Sequence, residues 1–176
     1  GYDGATVGAI AEAAGLAPGL IHYHFKNKQE ILLDAIRQLT ELLEQRFSDL
    51  VKDATTPEER LRAFVDARLA KGKGADTAAV AAWVIVGAEA VRQADVKAVY
   101  QEAMSTQRAL LDSLLRDYSG KRLSSGEVRR LTAVLLATME GTFQLSVSAE
   151  KIMPRNYAAE TVMGLIERYV ENRAAR

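Results

Sequence analysis

Cysteine is absent from the 176 residues, which removes disulfide frameworks, thiolate zinc sites and thiol nucleophiles together. Histidine occurs only as His22 and His24. Two residues apart on a helix, they point in divergent directions and do not make a metal pair. Proline appears three times, at Pro18, Pro57 and Pro154, each where a helix could begin and the missing N–H would go unpaired anyway. No stretch approaches the roughly 18 consecutive apolar residues of a membrane span. No basic leader followed by an apolar run is present, so a cytoplasmic setting is expected. Neither charge dominates: 23 basic and 23 acidic residues cancel, a balance that does not by itself advertise nucleic acid. There is no nucleophile–His–acid arrangement, glycine-rich phosphate loop or metal-ligand cluster, so an enzyme is not expected, nor a cofactor.

What is present is helical. Ala, Leu, Glu, Arg and Gln dominate, and no strand-like alternation of convincing length occurs, so the chain reads as all-α. Thr6 caps a short helix over about 7–14 that Gly15 closes, and Pro18 opens a second ending near His24. Asn27, followed three residues later by Glu30, has the form of a capping box. It starts a long helix with one apolar stripe through Ile31, Leu32, Ile36, Leu39, Leu43, Phe47 and Leu50. Thr56 caps the next helix, about 57–71, with Glu58 and Glu59 at its positive end. The segment 77–91, carrying Val80, Trp83, Val84, Ile85 and Val86, is apolar nearly all round and is expected to be buried throughout. Asp95 is expected to cap a helix that ends before Gly120. A second capping box, Ser124 to Glu127, opens another helix to about Ala149, and a last helix covers about 156–172.

The front of the chain carries the functional signal. Thr6 to Leu16 forms a small amphipathic helix whose Ala11, Ala14 and Gly15 allow a second helix to cross closely. A short glycine-containing turn then leads into that helix, the pattern of a helix-turn-helix. Thr6-Val7, Ile10-Ala11, Ala14-Gly15-Leu16, Gly19, Tyr23-His24-Phe25, Lys28 and Ile31-Leu32 together resemble the TetR family of transcriptional repressors. The likeness covers about a fifth of the chain.

That resemblance implies a helix-turn-helix DNA-binding domain over 1–35 and a helical ligand-binding and dimerisation domain over 36–176. The helix Pro18 to His24 would enter the major groove. Gly19, Leu20, Ile21 and His22 would face base edges or thymine methyls, while Thr6, Tyr23, His24 and Lys28 would hold phosphates. Ala17 stands where the family commonly has Ser or Thr, which removes one hydroxyl contact. The family also places a basic helix ahead of the segment that starts at Gly1. Residues 1–52 hold five basic residues against seven acidic, a net of −2, so without that helix weak DNA binding is expected. The implied partners are double-stranded operator DNA, a small-molecule effector and a second copy of the chain, with no membrane. The implied activity is a repressor that binds its operator as a dimer and is released by the effector. The alternative is a helical ligand-binding or interaction protein without DNA binding.

Behind the reader, Leu131 to Phe143 is similar to the BetI-like branch of the family, and Trp83 adds to that likeness. An effector pocket needs apolar walls and a few polar groups. Trp83, Val86, Tyr100, Met104, Met139 and Phe143 are the candidate walls, with Glu140 and Gln144 as polar anchors. A carboxylate among apolar residues wants a partner, and beside Trp83 or Phe143 it would suit a cationic ligand. The dimer is expected through the last two helices, with Leu131, Leu135, Thr138, Thr142 and Leu145 on one and Val162, Leu165, Ile166 and Tyr169 on the other.

Overall fold

A computed structural model describes residues 25–70 and 77–174, and among them there is no strand. Six helices follow one another: α1 Lys28–Val51, α2 Pro57–Leu69, α3 Thr77–Arg92, α4 Ala94–Ser119, α5 Ser125–Ser148 and α6 Ala158–Ala174. A 3-10 turn, Gly120–Arg122, joins α4 to α5.

The helix starts lie where the short polar signals put them. The Asn27 side chain accepts from the Glu30 N–H at 2.9 Å, while Glu30 reaches back to the Lys26 N–H at 2.8 Å. At α2 the box closes in both directions: Glu59 N–H donates to the Thr56 hydroxyl at 3.2 Å, and the Glu59 carboxylate accepts from the N–H groups of Thr55 and Thr56. Those backbone donors hold the Glu59 carboxyl down to about 2. Ser124 and Glu127 repeat the arrangement at α5. At the other end of α4, Gly120 takes φ +54°, a backbone conformation that any side chain would strain. Asp95 is not the cap expected of it. Gln93 occupies the cap position without a capping bond from its side chain, and Asp95 instead accepts from Gln29 Nε2 of α1 at 3.0 Å.

Helix α4 is the centre of the body and packs against α1, α2, α3 and α5. Its Val96, Leu111 and Leu115 meet Ile36 of α1, Leu61 and Phe64 of α2, Val86 of α3, and Val128 and Met139 of α5 in one continuous core. Each such side chain contributes about 1.5–3 kcal/mol through burial. Helix α6 covers the open side of α2, and Arg173 of α6 pairs with Glu127 of α5 at 3.4 Å.

Two faces of the body differ from what the sequence predicts. Helix α3 is not buried all round: Ile85 is 53% exposed and Val91 86%. Only its Trp83–Val86–Ala90 side is covered, because neighbours pack on one face of it alone. Of the residues expected at the dimer face, Leu131, Leu135, Val162 and Ile166 are buried in the chain's own core. The exposed apolar side of α5 carries Val134, Thr138, Gly141 and Leu145, and that of α6 carries Leu165.

Candidate effector site

Three helices meet at a polar cluster inside the apolar body. Trp83 lies on α3, Tyr100 on α4 and Glu140 on α5. The indole Nε1–H donates to both Glu140 oxygens, at 3.1 and 3.0 Å, and the Tyr100 hydroxyl donates to Glu140 Oε2 at 3.0 Å. The two rings lie 5.2 Å apart between centroids and are tilted by 35°. Burial pushes the Glu140 carboxyl above its ordinary value, while the two donors and the Arg68 charge pull it back. The same burial, reinforced by the adjoining carboxylate, raises Tyr100, so the phenol remains the donor.

This cluster makes a sharp prediction about stability. Glu140→Leu leaves the Trp83 N–H and the Tyr100 O–H without their acceptor in a partly buried site, and should cost about 2–3 kcal/mol in urea unfolding. Glu140→Gln keeps an acceptor oxygen and should cost about 1 kcal/mol. Equal losses in the two variants would show that the hydrogen bonds contribute nothing.

Beside the cluster is a small cavity bounded by α1, α2, α3 and α5, partly open to solvent, with a volume of about 50 Å³. Leu39, Leu42 and Leu43 of α1 form one wall, and Val80, Trp83 and Phe143 face them. Its polar side chains are Arg46 and Arg68. Arg46 donates to the Ala70 carbonyl at 2.7 Å. Arg68 is 8% exposed. Its guanidinium lies 3.5 Å over the Phe64 ring, and Nη1 donates to the Phe64 carbonyl at 3.1 Å. Burial pushes the Arg68 guanidinium down to about 9, with Glu140 and Glu44 opposing the shift, so it is charged at neutral pH.

The structure thus gathers Trp83, Tyr100 and Glu140, with Phe143 on the adjoining cavity. Val86 and Met139 are sealed in the core, and Met104 packs partly buried against it. Gln144, expected as a polar anchor, is exposed to solvent instead. Arg46 and Arg68 were not singled out from the sequence. A signal for Arg68 existed: it falls four residues after Phe64 and seven after Leu61, on the buried stripe of α2. Of the DNA-contact candidates, Lys28 is the first residue of α1 and is partly buried. Thr6, Pro18, Gly19, Leu20, Ile21, His22, Tyr23 and His24 lie outside the described residues.

Among the described residues the body is all-helical, holds an internal polar cluster and is led by one long helix, α1. Residues 1–35 match the model of bacterial regulatory proteins of the tetR family, and residues 57–171 match that of the BetI-type transcriptional repressor, C-terminal. The chain belongs to the TetR family, in the branch with a BetI-type C-terminal domain. The HTH-type transcriptional regulator BetI of Brucella canis is 32% identical over 92 residues, 52% of this chain and 46% of that protein. The match therefore spans about half the length of such curated relatives. Among solved structures, a transcriptional regulator from Rhodococcus sp. Rha1 superposes with a TM-score of 0.80 at 22% identity, covering 97% of this chain and 87% of the other. A transcriptional regulator from Saccharomonospora viridis in complex with choline gives 0.73 at 21% identity, with the same coverage. These two likenesses establish the fold. Among the described residues, no helix is long and apolar enough to cross a membrane.

Proposed function

We propose that the protein is a ligand-responsive repressor, working in the cytoplasm, that binds operator DNA as a homodimer and leaves it when a small molecule enters the body. Residues 1–35 are the reader, with Gly19, Leu20, Ile21 and His22 on base edges and Thr6, Tyr23, His24 and Lys28 on phosphates. Residues 36–176 sense and dimerise. The observation that supports this reading most is the course of α1. Its first residues fall in the segment matched to tetR-family regulators, and Leu39, Leu42, Leu43 and Arg46 further along it wall the cavity.

The mechanism follows from lengths. At 1.5 Å per residue, the 24 residues of α1 span about 36 Å. A slight tilt at its cavity end is therefore magnified at the reader. Two readers must sit about 34–36 Å apart to enter successive major grooves. An effector that binds a different spacing better draws the population away from DNA, by no more than its differential affinity. Choline, the compound bound to the Saccharomonospora viridis neighbour, shows the size of molecule such a body holds in one relative. The dimer uses the exposed α5 and α6 faces around Gly141 and Leu165.

The test is selection of a duplex from a random library with the full-length gene product, followed by affinity across salt. A two-fold symmetric sequence should emerge, and log Kd should rise linearly with log salt, with a slope that counts the phosphates neutralised. No enrichment and no salt dependence would leave a helical ligand-binding protein that does not read DNA.

A further inference from the structure

We propose that the cavity between α1, α2, α3 and α5 takes an amphipathic organic anion, a carboxylate on an apolar chain or ring, seated on Arg68. The proposal rests on the effector reading above and names the chemical class of the effector.

The lining decides the sign of the charge. The cavity is apolar along Leu39, Leu43, Val80, Trp83 and Phe143, and its charged side chains are two arginines with no acid among them. Arg68 is more than nine-tenths buried and, among the described residues, has no carboxylate at ion-pair distance. Its hydrogen bond goes to the Phe64 carbonyl of its own helix, and its flat face rests on the Phe64 ring. A cation taken out of water in this way is costly unless paired. Glu140 acts on it only at longer range, its oxygens accepting from Trp83 and Tyr100 instead. A planar guanidinium fixed against a ring, with donors left over, is a preorganised seat for a carboxylate. A quaternary amine in the same space would meet two guanidinium groups. Glu140, the carboxylate expected to attract it, is not a wall of this cavity.

Size supplies the second half of the inference. About 50 Å³ is less than two waters' share of liquid volume, at roughly 30 Å³ each. An eight-carbon acid enters only if a wall gives way. Helix α1 provides one whole side, and Leu42 on it is already half exposed at the rim. The guest therefore spreads α1 from α3, which moves the helix that carries the reader.

Trp83 is the sole tryptophan and stands on the cavity, so its fluorescence reports occupancy. Octanoate, octanol and octyltrimethylammonium share a chain and differ in head charge. Octanoate should bind saturably and at least about tenfold tighter than either of the others. In Arg68→Met its affinity should fall by about tenfold or more while that of octanol stays the same, and Arg68→Lys should restore most of the loss. If the Arg68 variants do not fold, the three-ligand comparison on the native chain decides alone. Equal affinity for all three, or a preference for octyltrimethylammonium, overturns the proposal, as does an Arg68→Met protein that binds octanoate normally. Release of selected DNA by octyltrimethylammonium alone would sink the anion and leave the effector reading standing. Octanoate binding with no DNA binding would do the reverse.

Discussion

In the homodimer proposed above, Gly141→Arg should separate the two copies while leaving each monomer folded. Gly141 lies on the solvent-facing side of α5, and a side chain built there meets nothing within 4 Å. An arginine in a helix interior also improves on glycine by about 0.5–1 kcal/mol in propensity, so the isolated chain has no reason to unfold. The damage falls on association. Val134, Thr138 and Leu145 flank Gly141 along α5, and Leu165 stands out from α6 at 59% exposure. The Arg173–Glu127 pair ties the end of α6 to the start of α5. The exposed apolar and small residues of α5, with Leu165 of α6, are the surface proposed for pairing about a two-fold axis. In such an isologous contact every substitution occurs twice, so two guanidinium groups would be driven toward each other and out of water. The dimer dissociation constant should rise by roughly a hundredfold or more, equivalent to about 3 kcal/mol. Sedimentation equilibrium reads this directly. Affinity for a two-site duplex should fall in parallel, because the second reader is no longer tethered to the first. A variant that sediments as a dimer with unchanged affinity would place the interface elsewhere.

Phe64→Ala should remove about 3–5 kcal/mol of folding stability. Phe64 is wholly buried on α2, and its ring meets Phe47 of α1 edge-on at 6.0 Å between centroids. It is also the surface on which the Arg68 guanidinium rests. Truncation therefore opens a void between α1 and α2 and takes away the ring beneath a buried cation, two losses that add. Against a total of about 5–15 kcal/mol for an ordinary domain, the variant should unfold at a much lower urea concentration with an unchanged slope. A loss below about 1 kcal/mol would show that the α1–α2 contact is not packed as described. Octanoate binding, where the protein survives, should weaken as well.

Local features were legible in the sequence because their chemistry is local. Asn27, Thr56 and Ser124 start helices through bonds to groups three residues away, and no distant contact is needed to see that. The breaks at residues 52–56 and at Gly120 follow equally from short polar runs and from the backbone freedom of glycine. Where a cap had to compete with a distant partner, reading failed. Asp95 looked like a cap and is instead engaged by Gln29 from α1, 66 residues away.

Faces were harder to assign than helices. Leu135 and Val134 are neighbours of similar character, yet one is core and the other exposed, because the direction from which α4 approaches α5 is not written in α5. For the same reason α3 was expected to be covered all round although Ile85 and Val91 face outward. Glu140 was recognisable as a carboxylate in an apolar run, but its engagement by Trp83 and Tyr100 depends on residues 57 and 40 positions away. With Glu140 so engaged, Arg68 is the charge open to a guest.

Composition, caps and periodicity determined an all-α chain, the helix boundaries among the described residues to within a residue or two, and the likeness to a helix-turn-helix regulator. All of these are properties of neighbours along the chain. Tertiary structure alone decided which carboxylate is already satisfied, which cation is left facing a cavity, and which apolar stripe is exposed. Those outcomes depend on how helices distant in sequence are brought together, and hydrogen-bond and charge partners are settled only across such contacts.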